Sequence, residues 1–184
     1  MNKPYYPPLS VLTEDQKNKY ITDLKELELY CDTCINLPIY LMYGTLLGVI
    51  RNNDFIPHDT DVDLGYLSSY NKKEDVCSER IELINKLERD GMLRCRGTVG
   101  IKIKFNGNDF DVWTSWIDEK GKYNVVPLSD LGEKELIIPF KTIIFRGNKF
   151  SIPQKSEELL DKIYINWKTP LTENYFKKNR RFTL

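Results

Sequence analysis

The chain is defined first by what it lacks. None of its apolar runs approaches the ~20 residues a membrane-spanning helix needs, and its N-terminus has no signal-peptide core, so a soluble, cytoplasmic protein is expected. Charge of neither sign is in excess. Twenty-seven Lys and Arg residues balance 27 Asp and Glu, which leaves no basic field to draw in nucleic acid. There is one histidine, His58, and there are four cysteines, of which only Cys31 and Cys34 form a Cys-x-x-Cys pair. A structural zinc site asks for two close pairs or a neighbouring histidine, so free, buried thiols are expected instead. With no internal repeat and no linker, the 184 residues read as a single α/β domain with an irregular Pro- and Tyr-rich arm over 1–11, a core over about 12–170 and a solvated tail over 171–184.

The elements follow from periodicity. Thr13 and Gln16 form a capping box, and Tyr20, Leu24, Leu27, Cys31 and Cys34 recur at helical spacing, predicting a helix over 14–35. Pro38 ends it. A short buried strand is expected over 39–43, a short helix over 46–53 with Leu46, Leu47 and Ile50 inward, and a longer helix over 73–89. That last helix would bury Cys77, Ile81, Ile84 and Leu87 and leave Glu79, Glu82 and Lys86 in solvent. Beyond Gly91 the period becomes two. Val99, Ile101, Ile103 and Phe105 alternate with polar residues, and Asn106-Gly107 signals a two-residue hairpin. That loop sets Ile103 opposite Phe110, Ile101 opposite Val112, Lys104 opposite Asp109 and Lys102 opposite Asp111, whereas a three-residue loop would face apolar residues with acidic ones. A further strand is expected over 121–127, two or three short strands over 136–152 with a turn at Gly147-Asn148, and a helix from Pro153 through Glu157, Leu160, Ile163, Tyr164 and Trp167 that Pro170 stops. The basic run over 177–181 reads as a solvated terminus.

The chemistry concentrates between Tyr43 and Tyr66. Asp59, Asp61 and Asp63 alternate with Thr60 and Val62, and an extended backbone would put all three carboxylates on one face. Clustered carboxylates repel unless a cation neutralises them. A hard divalent ion with oxygen ligands meets that need, and Mg²⁺ usually arrives with substrate phosphates. A solvated acidic loop stays open as an alternative, but an EF-hand loop is excluded. Position 6 is Leu64 rather than Gly, and position 12 is Tyr70 rather than Glu. Upstream, Gly44 and Gly48 bracket a segment that could bring backbone N–H groups and a helix start close to an anion.

Taken in order, the parts are a strand, a Gly44-Thr45 turn, a helix, a strand bearing Asp61-Val62-Asp63 and a later strand bearing Phe110-Asp111-Val112. This order resembles the nucleotidyltransferase fold of the DNA polymerase β superfamily, which implies an α/β (α+β) protein with a mixed central sheet flanked by helices. Gly44-Thr-Leu-Leu-Gly48, Arg51, Phe55-Ile-Pro57 and Asp59-Thr-Asp-Val-Asp63 are similar to the central motif of the LicD/fukutin family of phosphocholine and ribitol-phosphate transferases. Asp61-Val-Asp-Leu-Gly65 and Asp111-Val-Trp113 look closer to its fukutin-type branch, and Phe150-Ser-Ile-Pro153, Leu160, Tyr164 and Pro170 resemble its closing segment. His58 stands where the family commonly has Trp, and Thr45 where the wider fold has Ser or Gly. The animal enzymes' membrane anchor and accessory domain have no counterpart, which implies a soluble, minimal version.

The resemblance implies roles. Asp61, Asp63 and Asp111 would be catalytic and hold Mg²⁺, or Mn²⁺, on a nucleoside-diphosphate donor, with Asp111 also serving to deprotonate the acceptor. Gly44 and Thr45 would bind phosphate. Asp59 would support the ligands or simply cap a turn. Arg51 would pair with donor phosphate or with Asp59, or else be a surface residue. Lys102 would neutralise phosphate or only pair with Asp111, and His58 would contact phosphate. Trp113, Trp116 and Trp167 read as core. The implied reaction moves a phospho-alcohol group, phosphoribitol or phosphocholine, from a CDP-linked donor to a glycan or polysaccharide hydroxyl and releases CMP. Two alternatives stay open: nucleotidyl transfer from an NTP with release of pyrophosphate, and a non-catalytic nucleotide- or glycan-binding domain.

Overall fold

The computed structural model describes residues 8–96, 99–126 and 128–169. Thr13 caps helix α1 (Glu14–Tyr30) in both directions, its hydroxyl accepting from the Gln16 amide while the Gln16 side chain accepts from Thr13. The helix runs on into one π-type turn, Cys31–Ile35, and stops at Asn36 in the left-handed region. That wider turn advances the side chains by a smaller angle per residue, so the stripe loses its phase. Cys31 is buried and Cys34 is exposed. Cys77 and Cys95 are exposed too, so the expectation of buried thiols holds for Cys31 alone.

Strand β1 (Ile39–Leu41) leads directly into helix α2 (Tyr43–Asn52). The helix starts three residues earlier than periodicity predicts and takes Gly44 and Thr45 into its first turn. Strand β2 (Val62–Leu67) follows, then helix α3 (Lys73–Arg89) at the predicted limits. Its buried face is Val76, Arg80, Leu83, Ile84 and Leu87, while Cys77 and Ile81 point to solvent. The face is rotated because Arg80 turns inward, where its Nη1 donates to Thr114 Oγ1 at 2.7 Å. Strands β3 (Leu93–Cys95), β4 (Ile101–Phe105), β5 (Asn108–Ile117), β6 (Lys122–Val125) and β7 (Leu128–Glu133) complete the main sheet. The last was not anticipated, since Leu-Ser-Asp-Leu-Gly-Glu carries the residues of a turn rather than of a strand.

The sheet runs β1-β2-β5-β4-β3, with β6 pairing β5 and β7. It is mixed, because β2 and β5 are parallel and the other pairs antiparallel. Asn106 and Gly107, at φ 50° and 91°, make the two-residue turn, and all four predicted cross-strand partners of β4 and β5 are found. A separate ribbon, β8 (Lys141–Phe145) and β9 (Asn148–Ile152), turns at Arg146-Gly147, one residue before the expected place. Those two residues, at φ 45° and 81°, supply the positive φ pair that such a tight turn requires. Helix α4 (Ser156–Ile163) opens three residues after Pro153, whose carbonyl accepts from the Ser156 hydroxyl at 2.7 Å, and stops well short of Trp167. Residues 1–7, Pro170 and the basic run over 177–181 lie outside the described residues. Of the expected irregular arm, Leu9–Val11 form a 3₁₀ turn.

One continuous core joins these layers. A ladder of rings crosses it: Phe110 on β5 meets Tyr20 on α1, Tyr20 meets Phe55, Phe55 meets Phe145 on β8, and Phe145 meets Phe150 on β9, with centroids 5.1–6.2 Å apart. The ladder fixes the segment just before Asp59 between α1 and the ribbon. Among the described residues no helix is long and apolar enough to cross a membrane.

Candidate active site

The site sits where β2 begins. Because β2 and β5 are parallel with Asp63 opposite Asp111, these two carboxylates leave the same face of adjacent strands. Asp59 and Asp61 precede the strand, which starts only at Val62. They are brought in by the chain itself. The amides of Leu9 and Ser10 bond to the carbonyls of Asp59 and Pro57 at 2.6 and 3.0 Å, and the Asp59 amide bonds to the Ile56 carbonyl at 3.0 Å. Folded this way, Asp59, Asp61 and Asp63 each place a carboxylate oxygen within 4.8 Å of the others. Asp111 is not part of that trio. Asp59, read from the sequence as support, is.

Asp63 is held from three sides. Its Oδ2 accepts from the Gly44 amide at 3.0 Å, its Oδ1 from the indole Nε1 of Trp113 at 3.0 Å, and its own amide donates to Thr45 Oγ1 at 2.8 Å. Gly44 belongs to the first turn of α2, where free amides and the helix dipole favour a negative charge. The predicted phosphate-side residues therefore hold a carboxylate here. The Gly44 amide is directed at Asp63, and Thr45 is buried, with 2% of its surface accessible. Both Asp63 oxygens thus accept hydrogen bonds from the protein, which fixes the plane of the carboxylate.

Asp111 is buried and faces Lys102 across the hairpin. Lys102 Nζ lies 2.8 and 2.5 Å from its two oxygens and 3.8 Å from Asp61 Oδ2. Burial pushes the Asp111 carboxyl above its ordinary range and the Asp61 charge adds to this, while Lys102 offsets only part of it. Burial also works against the Lys102 charge, but the Asp111 hydrogen bond and the surrounding carboxylates outweigh it and hold the ammonium above its usual value. Beside the pair lies a cavity of about 180 Å³ lined by Thr60, Asp61, Arg94, Lys102, Asp109 and Asp111. Arg94 of β3 pairs with Asp109 there. A larger cleft of about 730 Å³ lies at the far end of β2, between Leu67 and α3, away from the carboxylates. Asp61 and Asp111 line the smaller one.

The remaining predicted residues lie around this centre. Arg51, at the end of α2, directs Nη1 at the Trp167 carbonyl at 3.5 Å, and burial lowers its pKa. His58 is half-buried next to Asp59. All three tryptophans are buried, yet Trp113 also holds Asp63, a contact the sequence reading did not assign. A signal existed, since Trp113 shares a strand face with Asp111. Arg94 was missed as well, because nothing local distinguishes it from a surface arginine.

A donor set of three carboxylates, all hard oxygen ligands, fits Mg²⁺ or Mn²⁺ and not a thiolate-seeking metal. Gly44 adds independent support. A Cβ there would stand 2.3 Å from Asp59 Oδ2 and 3.0 Å from Asp63 Oδ2, so the backbone yields space for both carboxylates.

None of the curated proteins compared with the chain matches it. Among solved structures, a STING-associated CdnE c-di-GMP synthase from Capnocytophaga granulosa is similar at 17% identity with a TM-score of 0.43, covering 60% of this chain and 39% of that one. The antibiotic-resistance factor ANT(2'')-Ia is similar at 14% identity with a TM-score of 0.48, covering 74% of this chain and 66% of that one. This chain thus spans less than two thirds of either. The model of the LicD/FKTN/FKRP nucleotidyltransferase domain matches residues 36–155, which takes in every strand from β1 to β9 and all four aspartates. The chain belongs to the LicD/FKTN/FKRP family through this nucleotidyltransferase domain.

Proposed function

We propose that the protein transfers a phospho-alcohol group, phosphoribitol or phosphocholine, from a CDP-linked donor to a hydroxyl of a glycan, dependent on Mg²⁺, and releases CMP. Family membership supports phosphotransfer or nucleotidyl transfer as the reaction class. The observation that carries the reading is the convergence of Asp59, Asp61 and Asp63 beside a fourth carboxylate, Asp111, on the adjacent strand. A divalent ion on the trio would neutralise the donor's diphosphate and the charge that gathers on the leaving phosphate.

The chain's own residues do the rest. Gly44, Thr45 and Trp113 keep Asp63 in one orientation, so no reorganisation is needed when donor binds. Asp111 accepts the proton of the acceptor hydroxyl as its oxygen bonds to the distal phosphorus. The bond from that phosphorus to the bridging oxygen breaks, and CMP leaves with the oxygen. A carboxyl whose pKa is raised by burial is a better proton acceptor, and Lys102 offsets part of that rise. Lys102 takes one lone pair on each Asp111 oxygen and leaves another for the incoming proton. Arg94 and Lys102 offset part of the negative charge that Asp61, Asp109 and Asp111 bring to the cavity wall.

The test is product analysis. Purified protein with Mg²⁺, a glycan acceptor and CDP-ribitol, CDP-choline or CDP-glycerol should release CMP from one of the donors. Asp61→Asn and Asp63→Asn should each lower kcat by orders of magnitude. Pyrophosphate release from an NTP, with no CMP from any CDP-alcohol, would replace this reading by nucleotidyl transfer. Thermal stabilisation by a donor without turnover would replace it by a binding domain.

A further inference from the structure

We infer that Lys102 is a built-in counter-ion standing where a second divalent ion would bridge Asp61 and Asp111, so that the site takes one such ion, on Asp59, Asp61 and Asp63. The inference rests on the proposed reading that the trio holds a divalent cation, and goes beyond it in fixing the number of ions and the role of the lysine.

Three observations converge. The ammonium contacts both oxygens of Asp111, at 2.8 and 2.5 Å, and lies 3.8 Å from Asp61 Oδ2, so it occupies the space between these two carboxylates. Asp111 is in register with Asp63 and yet outside the carboxylate trio. The position of Lys102 is set by the fold, since it is the direct cross-strand partner of Asp111 in a hairpin whose two-residue turn fixes the register. A tethered ammonium needs no recruitment from solution. Mg²⁺ takes its oxygens at about 2.0–2.1 Å, whereas a charge-assisted N–H···O bond runs at about 2.7–2.9 Å. The two cations therefore cannot share the same carboxylate pocket without repelling one another. Four clustered carboxylates carry more charge than one divalent ion cancels, and the lysine supplies part of the difference.

The experiment is an Mn²⁺ titration of the full chain, followed by electron paramagnetic resonance and calorimetry, with and without CDP. Wild type should take up one ion per chain under both conditions. Lys102→Met should take up two, and Lys102→Arg, which keeps the tethered charge, should return to one. Adding Asp111→Asn to Lys102→Met should remove the second ion. Lys102 is half-exposed at 47% of its side chain, and melting curves of both variants verify that they fold. Two ions in wild type, or one ion in Lys102→Met, would overturn the role of the lysine and leave the proposed reaction standing. Absence of Mn²⁺ uptake by wild type would overturn the carboxylate reading itself, and this inference with it.

Discussion

Gly44 donates its amide to Asp63 Oδ2 at 3.0 Å, and the volume where a Gly44 side chain would stand is filled by the Asp59 carboxylate. One residue thus positions one member of the acidic trio by contact and another by having no side chain. Gly44→Ala puts a Cβ 2.3 Å from Asp59 Oδ2, and the atom that must yield is the end of a side chain that can swing aside. The expected result is a weaker site in an intact fold. Calorimetry should show the Mn²⁺ affinity falling at least tenfold, while the melting temperature moves by only a few degrees. A large loss of stability with unchanged affinity would mean that Asp59 is not a ligand.

Gly65 provides the contrast on the same strand. Its missing Cβ would meet the Tyr40 ring at 2.4–2.8 Å, and Tyr40 is fixed by hydrogen bonds to Ser115 at 2.9 Å and Tyr123 at 2.8 Å. Nothing there can step aside. Gly65→Ala should therefore cost about 1–3 kcal/mol, the usual range for overpacking a close-packed core. Urea titration should show the midpoint falling with the slope unchanged, and the residual folded protein should bind Mn²⁺ normally.

Trp113 links the core to the acidic trio. Its indole packs edge-on against Tyr43 with centroids 4.6 Å apart, and its Nε1–H reaches Asp63 at 3.0 Å. Trp113→Phe keeps most of the packing and deletes the hydrogen bond. Bonds to charged groups contribute about 1.5–3 kcal/mol, so both the fold and the aim of Asp63 should suffer. The expected pattern is a fall in kcat exceeding tenfold with a smaller change in donor KM, because the indole is buried and acts through Asp63. If kcat holds while only stability drops, the tryptophan is core and nothing more.

Much of this was legible in the sequence, for identifiable reasons. The β4–β5 register could be read because a turn signal, Asn106-Gly107, coincided with a period-two pattern whose charges match only one alignment, and that alone put Lys102 opposite Asp111. The limits of α3 were equally plain, but its buried face was not, because Arg80 enters the core through a partner, Thr114, that lies 34 residues away. The membership of Asp59 in the trio was hidden for a similar reason. It depends on backbone hydrogen bonds from Leu9 and Ser10, distant residues that leave no pattern in the acidic stretch itself. Local period and turn chemistry are written along the chain, and the parallel pairing of β2 with β5 is not.

Asp111 yields a prediction about pH, and its sign can be worked out. Burial and the Asp61 charge raise its folded-state pKa above the value of about 3.9 for an unperturbed aspartate. A carboxyl of this kind binds its proton more tightly in the folded protein. Its contribution to stability is therefore fully present below the unfolded pKa and is lost as pH rises through the folded one. At neutral pH the ionised Asp111 is a burden on the fold, and Asp111→Asn should relieve it. In chelator-containing buffer the variant should melt higher than wild type at pH 7.5, by about 2–4 °C if the relief is near 1 kcal/mol. The difference should shrink as pH falls toward 4. The same variant should have lost transfer activity, since the amide cannot take up a proton from the acceptor. Stability gained where activity is lost would identify Asp111 as a group retained for chemistry. A lower melting temperature at pH 7.5 would instead show that its pairing with Lys102 outweighs the cost of burial, and that the aspartate holds the hairpin together.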